Sequence, residues 1–312
     1  MLHGYSMHSV AFKSMKRKSF KFAGMTIHEA NMSLIFQLYD LYDDREAANI
    51  ADLVMENVTG WKRIVRVTNK KVKMSGGMIN QLEKYTQELL THKPVQYVLG
   101  EAWFMGMRFY VNEHVLIPRP ETEELVDRVI KEIKRDNATA LRILDIGTGS
   151  GCISIAIKKY VSEAEVYSVD VSEKAIQVAR KNSELNNVDV KFILSDILDE
   201  SMWNDLPPID IIVSNPPYIP SNEKNLMEDN VTKFEPHIAL FVPDSDPLTF
   251  YKAIARFAEK ELLPGGKVYL ETHANYSEKV KDVFSDLGDT RIKNDMQNKP
   301  RFVITERRIY QP

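Results

Sequence analysis

The chain is 312 residues long, which is enough for two domains of ordinary size. Its composition, 44% hydrophobic and 27% charged, is typical of a globular protein, and a net charge of −3 gives no general argument for a nucleic-acid or membrane partner. No apolar run approaches the ~18 residues of a transmembrane helix. The single cysteine, Cys152, excludes an intramolecular disulfide and indicates a reducing compartment, which we take to be the cytoplasm.

Residues 1–24 are basic and contain neither Asp nor Glu. This composition resembles an organelle transit peptide, in which case the protein is organellar. However, the segment is poor in arginine, and a capping box from Thr26 to Glu29 starts a helix directly after Met25. We therefore interpret residues 1–24 as a disordered extension and Met25 as an alternative start.

Residues 25–92 have helical periodicity and no catalytic motif. Three apolar series predict three amphipathic helices that pack as a small bundle. These series are Ile27, Leu34, Ile35, Leu38 and Leu41; Ala47, Ile50, Ala51, Val54 and Val58; and Ile79, Leu82, Tyr85 and Leu89. Between the second and third, residues 61–73 contain six basic residues and no acidic one. We interpret this run as a solvated connector, with contact to RNA or an acidic partner as the alternative.

Residues 93–118 alternate apolar and polar side chains around two glycines, which predicts a hairpin linker. Two prolines then stiffen the loop Leu116–Glu123, and a helix is predicted from Glu121 to about Lys134. Because this loop precedes the first strand of the predicted sheet, we expect it to form a wall of the active site.

Residues 119–312 alternate strands with helices, which predicts an α/β fold with a doubly wound, mostly parallel, seven-stranded sheet. The predicted strands are Arg142–Ile146, Glu165–Asp170, Val190–Leu194, Asp210–Ser214, Lys267–Glu271, Asp289–Asn294 and Arg301–Arg307. The predicted helices within this sheet are Cys152–Tyr160, Ser172–Leu185 and Leu248–Leu262.

A glycine-rich turn follows the first of these strands. It is formed by Gly147, Thr148, Gly149, Ser150 and Gly151. The spacing is Gly-x-Gly-x-Gly and not the Gly-x-Gly-x-x-Gly that binds a dinucleotide pyrophosphate, so it favours a nucleoside ligand without phosphates. S-adenosylmethionine is such a ligand.

Acidic side chains at strand ends are candidates to complete this ligand site. Asp170, which ends the second strand, is placed to bind the ribose hydroxyls. Asp145 is assigned to the amino acid end, Asp196 to the adenine amine, and Ile197 to the ring face. For Asp196 a helix N-cap is the alternative.

The fourth strand ends in Asn215-Pro216-Pro217-Tyr218. The Asn215 side chain offers an oxygen that accepts an N–H and an NH2 group that the scaffold can anchor. Pro216 and Pro217 fix the backbone and lack N–H groups, while Tyr218 offers a flat ring face. This motif suits a planar group that carries an NH2. The alternative is a proline-rich structural turn.

These motifs together resemble those of the peptide chain release factor glutamine N5-methyltransferase family (PrmC/HemK type). The resemblance spans about Met25 to Arg308. It includes Pro94–Gly100, Ile117–Glu123, Asp145–Gly151, Asn215–Tyr218, and Phe234-Glu235-Pro236 with Ala239-Leu240. Two positions depart from the pattern: Thr272-His273 follows Glu271 where the family has x-Gly, and Pro247 replaces a glycine.

The resemblance implies a class I S-adenosylmethionine-dependent methyltransferase domain and an N-terminal helical domain that docks a class I release factor. It assigns the glycine-rich turn, Asp170, Asp196, Ile197 and Asn215 to the cofactor, and Asn215–Tyr218 to the glutamine of a Gly-Gly-Gln motif. Asn215, Pro216 and Tyr218 are the candidate catalytic residues. We expect a monomer, no metal and no direct nucleic-acid binding. The alternatives are a nucleic acid amino-methyltransferase and an inactive binding module.

Overall fold

The structure, a computed structural model, describes residues 22–203 and 206–309. The chain divides into two compact units, Met1–Leu99 and Gly100–Pro312, so the division falls within the segment predicted as a linker. The interpretation of residues 1–21 lies outside the described residues. Phe22, which was predicted to belong to the extension, is 1% exposed and packs in the core of the first unit.

The first unit is helical over its described residues. Three of these helices begin at side-chain caps: the side chains of Thr26, in a capping box, and of Asp43 and Ser75 accept N–H groups of the first helical turns. The helices are α1 (Ile27–Leu38), α2 (Asp44–Thr59), α3 (Arg63–Thr68), α4 (Gly76–Leu89) and α5 (Val95–Leu99). The three apolar series pack against one another as predicted, except for Leu41, which is half-buried and lies outside this core.

Two predictions in this unit were wrong in part. The basic run includes the short helix α3, and its Arg66 is buried, where it pairs with Asp52 and donates to the Trp61 carbonyl at 2.6 Å. The other basic residues of the run are exposed. Residues 95–99 form α5 and not a strand. Five residues are too few to show helical periodicity.

The second unit contains a seven-stranded sheet in its described residues. Its strands are β3 (Arg142–Ile146), β4 (Glu165–Asp170), β5 (Lys191–Leu194), β6 (Ile209–Ser214), β9 (Leu262–Glu271), β10 (Gly288–Asn294) and β11 (Pro300–Arg307). Their order in the sheet is β10-β11-β9-β6-β3-β4-β5. Strands β3, β4, β5, β6 and β9 run parallel, while β11 is antiparallel to β9 and to β10.

This sheet, with helices between its parallel strands, confirms the predicted class I methyltransferase fold. The helices of the unit are α6 (Pro120–Arg135), α7 (Cys152–Tyr160), α8 (Glu173–Asn186), α9 (Asp229–Phe234), α10 (Thr249–Glu261) and α11 (Ser277–Phe284). Two small sheets complete it: the hairpin β1 (Ala102–Phe104) with β2 (Met107–Phe109), and the parallel pair β7 (Ile219–Pro220) with β8 (Phe241–Val242).

Both faces of the sheet are buried. Successive side chains of a strand point to opposite faces, so Leu144 and Ile212 join one apolar core while Ile143 and Val213 join the other. A strand that is buried on both sides reads as a continuous apolar run, which is why the central strands were predictable. No helix among the described residues is long and apolar enough to cross a bilayer.

Candidate active site

Three loops meet at one edge of the sheet because their strands are neighbours in register. Ile146 at the end of β3 lies beside Val169 of β4 and Ser214 of β6. The glycine-rich turn, Asp170 and Asn215 therefore emerge together at the carboxyl ends of parallel strands. Ligands bind at this position in open α/β sheets.

The glycine-rich turn and Asp170 hold each other in place. The Gly149 N–H donates to Oδ2 of Asp170 at 2.8 Å, and the Ser172 N–H donates to Oδ1 at 2.8 Å. Burial raises the pKa of Asp170, and these two backbone hydrogen bonds offset part of that rise. Each carboxylate oxygen keeps a further lone pair, so a fixed Asp170 can accept from two hydroxyl groups of a ligand.

Polar atoms without partners lie close to the same turn. Within the described part of the chain, Oδ1 of Asp145 and Oγ of Ser150 are buried and make no hydrogen bond. A side chain on Gly147 or Gly149 would meet no atom within 4 Å, so the turn faces open space. Burial also raises the pKa of Asp145 to about 7. The Ser168 hydroxyl donates to its Oδ2 and offsets part of that rise. These features fit a ligand that brings its own donors to a backbone cradle.

Asp170 gives a direct test of this fit. Asp170→Ala should weaken binding of S-adenosylmethionine by about 1.5–3 kcal/mol, which is the range for hydrogen bonds to a charged group. Isothermal titration calorimetry measures the dissociation constant. Asp189→Ala, which removes an exposed aspartate before β5, is the matched control. An unchanged dissociation constant in Asp170→Ala would remove this residue from the cofactor site.

The two remaining cofactor candidates follow β5. Asp196 is half-buried, and its Oδ1 accepts the Leu198 N–H at 2.9 Å in a turn. The N-cap alternative is wrong, because Asp199 caps the next short helical turn. Ile197 is 7% exposed and packs in the core with Trp203. Its contact with an adenine ring stays a prediction.

The Asn-Pro-Pro-Tyr motif lines a cavity of about 150 Å³. Nδ2 of Asn215 donates to Oγ1 of Thr122 at 3.0 Å, so the scaffold anchors the NH2 group. Pro216 is buried, and Pro217 and Tyr218 are half-buried. The residues that line the cavity are Leu116, Arg119, Asn215, Pro216, Tyr218, Ile219, Met227, Val231, Ala239 and Leu240. Pro217 is not one of them, whereas the predicted loop wall contributes Leu116 and Arg119.

Comparison with known proteins assigns the family. Residues 125–234 match the family described as Methyltransferase small domain, and residues 37–100 match the PrmC N-terminal domain. The chain is 39% identical to the release factor glutamine methyltransferase of Flavobacterium psychrophilum, over 89% of this chain and 98% of the relative. The chain belongs to the release factor glutamine methyltransferase family.

Two further proteins are similar to this chain. The release factor glutamine methyltransferase of Bacteroides thetaiotaomicron is 39% identical, over 86% of this chain and 96% of the relative. A solved structure of a release-factor-specific protein-(glutamine-N5) methyltransferase from Alicyclobacillus acidocaldarius is 28% identical. It covers 64% of this chain and all of its own, with a TM-score of 0.40.

In the present chain, two buried glutamates that the sequence did not single out also lie at the site. Glu235 is buried; its Oε1 lies 2.5 Å from the Arg119 guanidinium, and its Oε2 accepts the Ile117 N–H at 3.2 Å. It therefore fixes the loop wall against the cavity. Glu271 contacts Thr122 and Tyr218. Glu235 stands in a motif that carries the family resemblance, and Glu271 precedes a position that departs from it, but only the fold brings them to the site.

Other chemistries have little basis in the described residues. Cys152 is buried beside the glycine-rich turn, and burial raises the pKa of its thiol to about 12, so a reactive thiolate is disfavoured. No group of three or more His, Cys, Asp or Glu side chains in the described residues is placed to hold a metal ion.

Proposed function

We propose that this chain transfers the methyl group of S-adenosylmethionine to the side-chain amide nitrogen of the glutamine in the Gly-Gly-Gln motif of a class I release factor. The observation that carries the proposal is the hydrogen bond from Asn215 to Thr122, beside the 150 Å³ cavity. With its NH2 group occupied, Asn215 keeps its oxygen to accept an N–H of a bound amide.

The cofactor supplies a methyl group on a positively charged sulfur. Asp170 would bind the ribose hydroxyls, Asp145 the amino acid end, and Asp196 the adenine amine. The hydrogen bond between Asp170 and the glycine-rich turn supports this assignment, as do the unpaired buried oxygen of Asp145 and the open space over Gly149. Ile197 and Asn215 would complete the site.

The difficulty of the reaction lies in the acceptor, because the lone pair of an amide nitrogen is delocalised into its carbonyl. Asn215 Oδ1 and the Pro216 carbonyl would accept the two N–H bonds of the glutamine amide. Both acceptors favour the developing positive charge on nitrogen and stabilise the transition state more than the ground state. Tyr218 would pack its ring on the amide plane. The methyl–sulfur bond would break as the N–C bond forms, with its electron pair left on sulfur, and the nitrogen would then lose its extra proton to water.

Acceptor competition tests the proposal. Tritiated S-adenosylmethionine is offered with a class I release factor, with the same factor carrying Gly-Gly-Ala, and with duplex DNA. We expect label only on the first. Label on DNA would favour the nucleic acid alternative, for which the exposed basic residues of 62–73 offer some charge. No label on any acceptor would favour the inactive binding module.

We further propose that the helical domain of residues 25–92 docks the release factor, because it is a separate unit with no catalytic motif. A chain that starts at Gly100 should bind S-adenosylmethionine like the full chain but methylate intact release factor poorly. A short Gly-Gly-Gln peptide lacks the rest of the release factor and cannot use the helical domain. On this peptide the truncated and full chains should have equal kcat/KM. Equal activity of the two chains on intact release factor would show that the helical unit only stabilises the protein.

A further inference from the structure

A chain of hydrogen bonds joins the two ends of the Asn-Pro-Pro-Tyr motif through Glu271, the last residue of β9. Oγ1 of Thr122 donates to Oε2 of Glu271 at 2.7 Å and accepts from Nδ2 of Asn215 at 3.0 Å. The Tyr218 hydroxyl donates to Oε1 of Glu271 at 3.2 Å. We call these four residues the Glu271 network.

The centre of the network, Glu271 and Thr122, is buried, whereas Asn215 and Tyr218 are half-buried. Glu271 is 2% exposed and Thr122 is 3% exposed. The hydroxyl of the buried Tyr251 donates to the backbone carbonyl of Glu271 at 3.0 Å, which fixes the main chain at this residue. Burial raises the pKa of Glu271 to about 7, and Thr122 and the Arg301 charge offset part of that rise. At a pH well above that value Glu271 is a carboxylate.

An ionised Glu271 dictates the direction of every hydrogen bond in the network. A carboxylate only accepts, so the single hydroxyl proton of Thr122 must point to Glu271. The oxygen of Thr122 is then free only to accept, and the part of Asn215 that faces it must be the NH2 group. The Asn215 oxygen is consequently turned away from Thr122, as an acceptor at the cavity.

We infer that Glu271 is a positioning residue that acts through Thr122 to fix the amide orientation of Asn215, so that the site accepts an N–H and selects glutamine over glutamate. This inference rests on the proposed function. A reversed Asn215 would place its own NH2 group against the glutamine NH2, two donors without an acceptor. It would instead suit a glutamate carboxylate, which has no nitrogen to methylate.

Substitutions at Thr122 separate this role from packing. At about pH 8.5, where carboxyl groups of ordinary or moderately raised pKa are ionised, Thr122→Val should lower kcat about 10–100-fold. This is less than the loss of a direct transition-state contact, about 10²–10³-fold. KM for release factor and the dissociation constant of S-adenosylmethionine should stay within about threefold of the parent values. Thr122→Ser, which keeps the hydroxyl, should restore kcat to within about threefold of the parent.

Glu271→Gln tests whether the carboxylate of Glu271 sets the direction of the Thr122 hydrogen bond. A glutamine at this position can donate to Thr122, so it permits the reversed orientation. We expect a kcat loss similar to that of Thr122→Val. A Thr122→Val kcat within about threefold of the parent, or a Thr122→Ser variant as impaired as Thr122→Val, would overturn the inference.

A double-mutant cycle on kcat shows whether Thr122 acts through Asn215. Once Asn215 is alanine, no amide remains to orient, so Thr122→Val should lower kcat little further in the double variant. Independent losses that multiply would mean that Thr122 acts elsewhere.

If the parent methylates no release factor, the proposed function alone is refuted. The inference about the Glu271 network can then still be tested by NMR spectroscopy. In ¹⁵N-asparagine-labelled protein, the side-chain NH2 signals of Asn215 are assigned by their loss in Asn215→Ala. They should move in Thr122→Val and Glu271→Gln but stay in Thr122→Ser. If the Asn215 NH2 signals have the same chemical shifts in the parent and in all three variants, the network does not form in solution.

Discussion

Replacing Asn215 with alanine should lower kcat about 10²–10³-fold, which is the typical effect of one preorganised polar contact to a developing charge. The contact should strengthen as the amide nitrogen becomes positive, so kcat should fall more than KM rises. The substitution removes the oxygen that we assign to the substrate amide together with the N–H that is bound to Thr122. Steady-state kinetics with release factor measures both constants.

Calorimetry on the same variant should show a much smaller change in the affinity for S-adenosylmethionine. Asn222→Ala, at an exposed position in the same segment, is the matched control and should keep parental turnover. Tyr218→Phe should be milder than Tyr218→Ala, because we assign the main role to the ring face, while the hydroxyl donates to Glu271. A kcat for Asn215→Ala within about tenfold of the parent would contradict the amide clamp and leave the motif as a structural turn.

Gly151→Ala should lower the free energy of unfolding by about 2–5 kcal/mol. The backbone of Gly151 is left-handed, with φ +81°, which costs a residue with a Cβ about 1–2 kcal/mol. The new Cβ would also lie 2.8 Å from Cδ1 of Ile155 and 3.1 Å from Cβ of Ala179, both buried. Overpacking of a core typically adds about 1–3 kcal/mol. Urea denaturation measures the change.

Gly149→Ala is the control for backbone strain alone. Its φ is +53°, but a Cβ there meets no atom within 4 Å, so only about 1–2 kcal/mol of stability should be lost. The same Cβ would enter the space that we assign to S-adenosylmethionine, so cofactor affinity should fall while most of the stability remains. Equal destabilisation by the two substitutions would show that the contacts of Gly151 are not tight in solution.

The predictable parts of the fold are those that local sequence determines. Strands β3 and β4 and helix α7 have the predicted bounds, because buried parallel strands read as apolar runs and the helix follows a glycine-rich turn. Helix α11 was missed, and α5 was predicted as part of a hairpin. Short helices carry too few apolar positions to show a period.

The candidate site was predictable only where a motif carries it. Asp170, Asn215 and the glycine-rich turn follow strands, so the topology of the fold brings them to one edge. The Glu271 network has no local signal, because Thr122 lies 149 residues before Glu271 and 93 residues before Asn215. The burial of Arg66 likewise depends on Asp52, 14 residues away in a different helix.

The position of β9 in the sheet also bears on when the protein can become active during its own synthesis. β9 lies between β6 and β11, so the edge of β6 stays uncovered until residues 262–271 have left the ribosome. Since Glu271 ends β9, a nascent chain that already contains Asn215 and the glycine-rich turn still lacks the network. Until then β6 is paired only with β3, and its other edge is open, which favours aggregation. The emergence of β9 therefore covers this edge and supplies Glu271 to the site at the same time.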